Sequence, residues 1–85
     1  MFKNKNTNKN NICGANVARL RKSLVPKVSQ RELADRLQII GLDIDKNAVQ
    51  RIESGQRFVT DIELSALARV FDVLVDELLK ERDNE

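Results

Sequence analysis

Twice in this chain a hydroxyl residue is followed three positions later by a glutamate, at the head of an apolar stripe. Ser29 and Glu32 stand before Leu33, Ala34 and Leu37; Thr60 and Glu63 stand before Leu64, Leu67, Ala68 and Phe71. In this arrangement the hydroxyl accepts from the glutamate's backbone N–H, and the carboxylate reaches back to the N–H of the hydroxyl residue. Two donors that a helix start leaves orphaned are thereby satisfied. Gly41 and Gly55 stand where helices must stop, because glycine adopts the left-handed closing conformation at least cost. Pro26 blocks any helix running into it, since its ring fixes φ and removes a donor. The chain is thus cut into short helical pieces.

The spacing predicts a helix over residues 15–24, marked by Val17, Leu20 and Leu24, and a second that opens after Ser29 and stops near Gly41. A third is expected over 46–54, capped by Asp45 and stopped by Gly55, a fourth over 61–71, and a short last one over 75–80. No alternating run argues for a strand. Eighty-five residues make one domain, and three Phe with no Trp or Tyr leave Leu, Ile, Val and Ala to fill a modest core. The fold class expected is all-α: a compact five-helix domain with no sheet. It occupies residues 13–80, behind an Asn/Lys-rich arm at 1–12 that is expected to be flexible and ahead of a short charged tail at 81–85.

Several chemistries are excluded early. There is no histidine, and Cys13 is the one cysteine, so zinc fingers, His-based acid–base catalysis and an internal disulfide are ruled out. A lone thiol fits a reducing, cytoplasmic setting. No apolar run approaches the roughly 20 residues a membrane helix needs. No phosphate-binding Gly loop, nucleophile–base pair or metal-ligand cluster is evident, so the chain is not expected to be an enzyme, to hold a metal or cofactor, or to take a small-molecule substrate. Cys13 has two readings, an oxidant sensor and an ordinary packed or surface thiol; without a resolving cysteine the second is favoured.

The formal charge of +2 hides an asymmetry. Residues 1–57 carry twelve Lys/Arg against five Asp/Glu, and residues 58–85 carry three against eight. One end is suited to a polyanion and the other is kept soluble by acid. The third helix sharpens this. Val49 and Ile52 lie on one side, and Lys46, Asn47, Gln50 and Arg51 on the other, since 46/50 and 47/51 are each four apart. A polar stripe is often only a solvated face, but this one has the chemistry of base recognition. Lys46 and Arg51 can donate to guanine O6 and N7, and Asn47 and Gln50 can each satisfy adenine N6 and N7. Ser29 and Gln30 open the preceding helix, where free N–H groups can hold a phosphate, and Gln56 and Arg57 follow in a loop able to grip the same backbone.

Several segments carry a resemblance. They are Leu20-Arg21; Ser29-Gln30-Arg31-Glu32-Leu33-Ala34 through Leu37; Val49-Gln50-Arg51-Ile52-Glu53-Ser54-Gly55; Leu64-Ser65-Ala66-Leu67-Ala68; and Val73-Leu74-Val75-Asp76-Glu77-Leu78-Leu79. In this order they resemble the phage-repressor, Cro/CI-type (XRE-like) helix-turn-helix family over about residues 14–80. The resemblance implies a lambda-repressor-like domain and a transcriptional regulator, expected to be a repressor, that binds double-stranded DNA. By it the second helix sits on the DNA backbone with Gln30 on a phosphate, and the third, 46–54, is the recognition helix in the major groove. It also implies that Arg21 pairs with Glu53, which makes Glu53 structural.

One departure stands out: between Leu37 and Val49 the chain is longer than the family pattern, Ile39-Ile40-Gly41-Leu42-Asp43-Ile44 included. The expectation is an extra turn on the second helix, with its apolar residues packed against the core. Val73, Val75, Leu78 and Leu79 exceed what one short helix needs, and a homodimer through them would set two recognition helices about 34 Å apart. Completing the monomer core is the other reading. A distinct alternative for the whole chain is a protein-interaction module, such as an antitoxin or coactivator, whose acidic last third faces a regulatory protein partner.

Overall fold

The computed structural model describes residues 9–81; arm residues 1–8 and tail residues 82–85 lie outside the described part. Five helices follow one another, with no strand among the described residues: α1 (Gly14–Ser23), α2 (Gln30–Ile39), α3 (Lys46–Glu53), α4 (Asp61–Phe71) and α5 (Val75–Leu79). No described helix is long and apolar enough to cross a membrane.

The helix starts are made as the sequence dictates. Ser29 Oγ accepts from the Glu32 N–H at 3.0 Å while Glu32 Oε1 accepts from the Ser29 N–H at 2.8 Å. Thr60 and Glu63 repeat the exchange at 3.2 and 3.1 Å, and Asp45 takes the Ala48 N–H at 2.9 Å. The stops of α2, α3 and α4 share one design, whereas α1 and α5 end on the extended residues Leu24 and Lys80. Gly41, Gly55 and Asp72 have φ of 101°, 85° and 58°, and the residue after each donates back across the last turn: Leu42 to Leu37, Gln56 to Arg51, Val73 to Ala68.

Asp72 is the outlier, since a side chain in the left-handed region is strained where glycine is not. Asp72→Gly is therefore expected to raise stability by about 0.5–1 kcal/mol, relieving that strain. Thermal denaturation checks this; a lower melting temperature would show that the Asp72 side chain has a stabilising role the turn does not explain.

The core is aliphatic. Val17, Leu33, Leu37, Val49, Ile52, Leu67 and Leu78 are each at most 1% exposed. Around them α2 packs on α3 and α4, α1 on α3, α4 and α5, and α4 on α5. The capped, amphipathic α3 is thus held from two sides, by α1 and α2, with its remaining face outward.

Two expectations are corrected. The longer segment after Leu37 does not add a turn to α2. The helix ends at Ile39, Gly41 reverses the chain, and residues 42–45 run on without helical structure, held where Gln38 Nε2 donates to the Ile44 carbonyl at 2.8 Å. Ile44 does enter the core and Leu42 packs against it, but Ile39 stays 82% exposed. A glycine two residues past the helix end terminates it before the apolar residues can extend its stripe. The second correction concerns the arm, read as flexible through residue 12. Asn10 and Asn11 are docked on the end of α3, as detailed below, because an asparagine side chain near free helix carbonyls satisfies them.

Candidate nucleic-acid interface

Eight residues of α3 divide sharply by environment. Ala48, Val49 and Ile52 are buried, whereas Lys46, Asn47, Gln50 and Arg51 are all exposed on the opposite side. The four side chains proposed to meet bases therefore share one outward face, and no carboxylate stands among them. Lys46 and Asn47 border a cleft that they share with Arg31, Asp35 and Gln38 of α2 and with the cap residue Asp45. Arg51 lines a second cleft of about 340 Å³ with Arg57, Asp43, Ile44, Asp45 and Ala48. The longer turn before α3 thus ends beside the outward face of that helix, and its two aspartates stand on the same cleft as Arg51 and Arg57.

Behind that face lies the ion pair. Arg21 Nε and Nη2 meet Glu53 Oε2 and Oε1 at 2.6 and 2.9 Å, a two-pronged contact with side chains only 12% and 8% exposed. Arg21 Nη1 also donates to the Val28 carbonyl at 3.0 Å, and Gln30 Nε2 donates to Glu53 Oε1 at 2.9 Å. Hydrogen bonding to Glu53 raises the Arg21 pKa further above its already high value, outweighing the opposite effect of burial. One carboxylate so ties α1, α2 and α3 together. Glu53 serves this junction with both of its carboxylate oxygens engaged.

The expected phosphate contacts fall in mixed surroundings. Ser29 is exposed, with its hydroxyl engaged by the helix cap. That cap takes the Glu32 N–H and leaves those of Gln30 and Arg31, at the helix start, without an intrahelical acceptor. Gln30 is partly buried, and its bond to Glu53 uses one of its two amide hydrogens. Gln56 is exposed, while Arg57 Nη2 is paired with Glu63 Oε2 at 2.8 Å. Arg57 Nε is buried with no partner. Arg57 is thus a half-committed cation rather than a free one.

The residues expected at a dimer contact separate. Leu78 is completely buried and belongs to the monomer core, so it offers no surface to a second chain. Val73 and Val75 pack against that core, half-buried. Leu79 is 40% exposed, and Leu74, which was not singled out, is 76% exposed. Cys13 is buried, and burial pushes its thiol pKa up to about 11, so near neutral pH it is a protonated, packed thiol.

Two asparagines escaped the sequence reading. Asn16, 2% exposed on α1, donates to the carbonyls of Leu78 and Lys80, each at 2.8 Å, and so fastens the end of α5. Asn11 does the same for the end of α3. The only local signal was an asparagine at an inward position of a helix otherwise lined by Val17 and Leu20, where a buried amide must find partners.

With this geometry in place, the comparisons are specific on one point: a family model described as helix-turn-helix matches residues 26–78, from the turn before α2 into α5. No curated protein and no solved structure matches the chain.

Proposed function

The chain belongs to the Cro/CI-type helix-turn-helix family of DNA-binding regulators, and from that membership we propose that it is a sequence-specific repressor whose α3 reads base edges in the major groove. The observation that carries the reading is the division of α3 into a sealed side and an exposed side of Lys46, Asn47, Gln50 and Arg51. A helix fits the major groove, and donors and acceptors on its outer face discriminate base pairs there. The start of α2, with the N–H groups of Gln30 and Arg31 and the side chains of Ser29 and Gln30, takes one phosphate. Gln56 and Arg57 take the neighbouring backbone. The role is occupancy of DNA, which favours repression, and it involves no catalytic step.

Arg51→Ala is the direct test. On the sequence the protein selects, it is expected to cost about 1–3 kcal/mol of affinity and to relax the preference at one base pair. A loss of equal size on every sequence would make Arg51 a phosphate contact and remove it from base reading.

A two-fold homodimer through the α5 end is part of the proposal. Leu74 and Leu79 supply the exposed apolar surface there, with the half-buried Val73 and Val75 beside them. A regulatory protein partner is the second reading. It is favoured by the 72% exposure of Ile62, which with Leu42 and Ala66 lines an open groove between α4 and the turn after α2.

A further inference from the structure

The end of a recognition helix is normally held by its own stop. Here a segment far away in sequence also holds it. Asn11 Nδ2 donates to the Ile52 carbonyl at 3.1 Å and to the Arg57 carbonyl at 2.8 Å, bracketing the loop that follows α3. Its Oδ1 accepts from the Gly14 N–H at 2.8 Å and so caps the start of α1. These partners settle the orientation of the amide, since a backbone N–H needs the oxygen and two carbonyls need the nitrogen. Beside it, Asn10 donates from its N–H to the Gly55 carbonyl at 2.8 Å and from Nδ2 to the Gln56 carbonyl at 2.9 Å.

The approach of the two helices leaves no room for error. A β-carbon at Gly14 would collide with the Ile52 carbonyl oxygen and lie 3.0 Å from that of Glu53. The start of α1 therefore meets the end of α3 backbone to backbone, with the Asn11 amide spanning the junction. Only asparagine meets all three demands at this reach. Aspartate and serine lack the two donors, and glutamine is a methylene longer.

From this geometry we infer that Asn11 is a positioning residue for DNA reading. Its carboxamide fixes the angle at which α3 leaves the domain and the path of the Gly55–Arg57 loop. The inference rests on the DNA-reading role proposed above for α3. Asn11 touches no base; it acts through the carbonyls of Ile52 and Arg57. Specific binding needs the outward face of α3 at one pitch in the groove, whereas non-specific binding rests on phosphate charge and tolerates a loosened helix.

The test is Asn11→Ser in the full chain, with Asn11→Ala as its companion. Serine keeps an acceptor for the Gly14 N–H, carries no charge and lacks the two amide donors. Affinities are measured for the selected duplex and for an unrelated duplex of equal length, well below the melting temperature. Affinity for the selected duplex is expected to fall about tenfold for Asn11→Ser, the size of one mismatched base pair. Binding to the unrelated duplex should stay within about twofold, since Asn11→Ser alters no charge and non-specific phosphate contacts tolerate a displaced Gly55–Arg57 loop. A merely structural loss would lower both affinities together through the folded fraction, leaving their ratio unchanged, and would overturn the inference. So would wild-type affinity for both duplexes. If the wild-type chain itself fails to distinguish the two duplexes, the DNA-reading role falls, and this inference with it.

Discussion

Glu53→Ala is expected to lower the stability of the chain by about 3 kcal/mol, the lower end of the cost of breaking a buried ion pair. For a domain of this size that is a fall in melting temperature of about 12–24 °C. The substitution strands three donors at once, Arg21 Nε and Nη2 and Gln30 Nε2, at a carboxylate only 8% exposed. The lower end applies because Arg21, on a long stem and itself 12% exposed, can swing partly into water. In the protein that remains folded, Lys46, Asn47, Gln50 and Arg51 still face outward, so measured well below the transition the affinity should fall no more than the stability does. A melting temperature equal to that of the wild type would contradict the structural role given to Glu53.

Leu33→Ala should have an effect as large by a different mechanism. Leu33 is fully buried on α2, and deleting its branched end removes apolar contact and leaves a cavity that helices fixed by caps at both ends cannot easily close. The expected cost is about 3–4 kcal/mol, within the range for such truncations. Small domains hold a total stability of only about 5–15 kcal/mol, so a substantial unfolded population should appear on mild warming. Val25→Ala, at a side chain 96% exposed, should change stability by less than about 0.5 kcal/mol. Urea titration of both variants decides the matter: equal midpoints would mean that the α2 face is not the centre of the core.

Much of the fold was legible because its signals are local. The two capping boxes, the Asp45 cap and the glycine stops each act within a few residues, and the bounds they imply differ from the observed helices by only a residue or two. The outward stripe of α3 was legible for the same reason, since helical geometry alone separates Val49 and Ile52 from Gln50 and Arg51. The Arg21–Glu53 pair spans 32 positions and no spacing rule reaches it; family resemblance pointed to it, and the 2.6 and 2.9 Å contacts place it. What remained hidden is chain entry and chain reversal. Asn11 reaches carbonyls 41 and 46 residues away, so a run rich in Asn and Lys looks like a featureless arm until its partners are known. The course of residues 39–45 was misjudged because apolar content argued for a longer helix. The left-handed Gly41 closes α2 first, and only Ile44 then turns fully inward.

The most direct measurement is selection of bound sequences by the wild-type chain from a random duplex pool, with the affinity for the enriched sequence followed against salt. A base-reading α3 should enrich a defined motif, with two-fold symmetry if the α5 end forms the dimer, and affinity should fall steeply as salt rises. No enrichment, with only weak binding that ignores sequence, would contradict base reading by Lys46, Asn47, Gln50 and Arg51 and shift the function of the domain toward a protein partner.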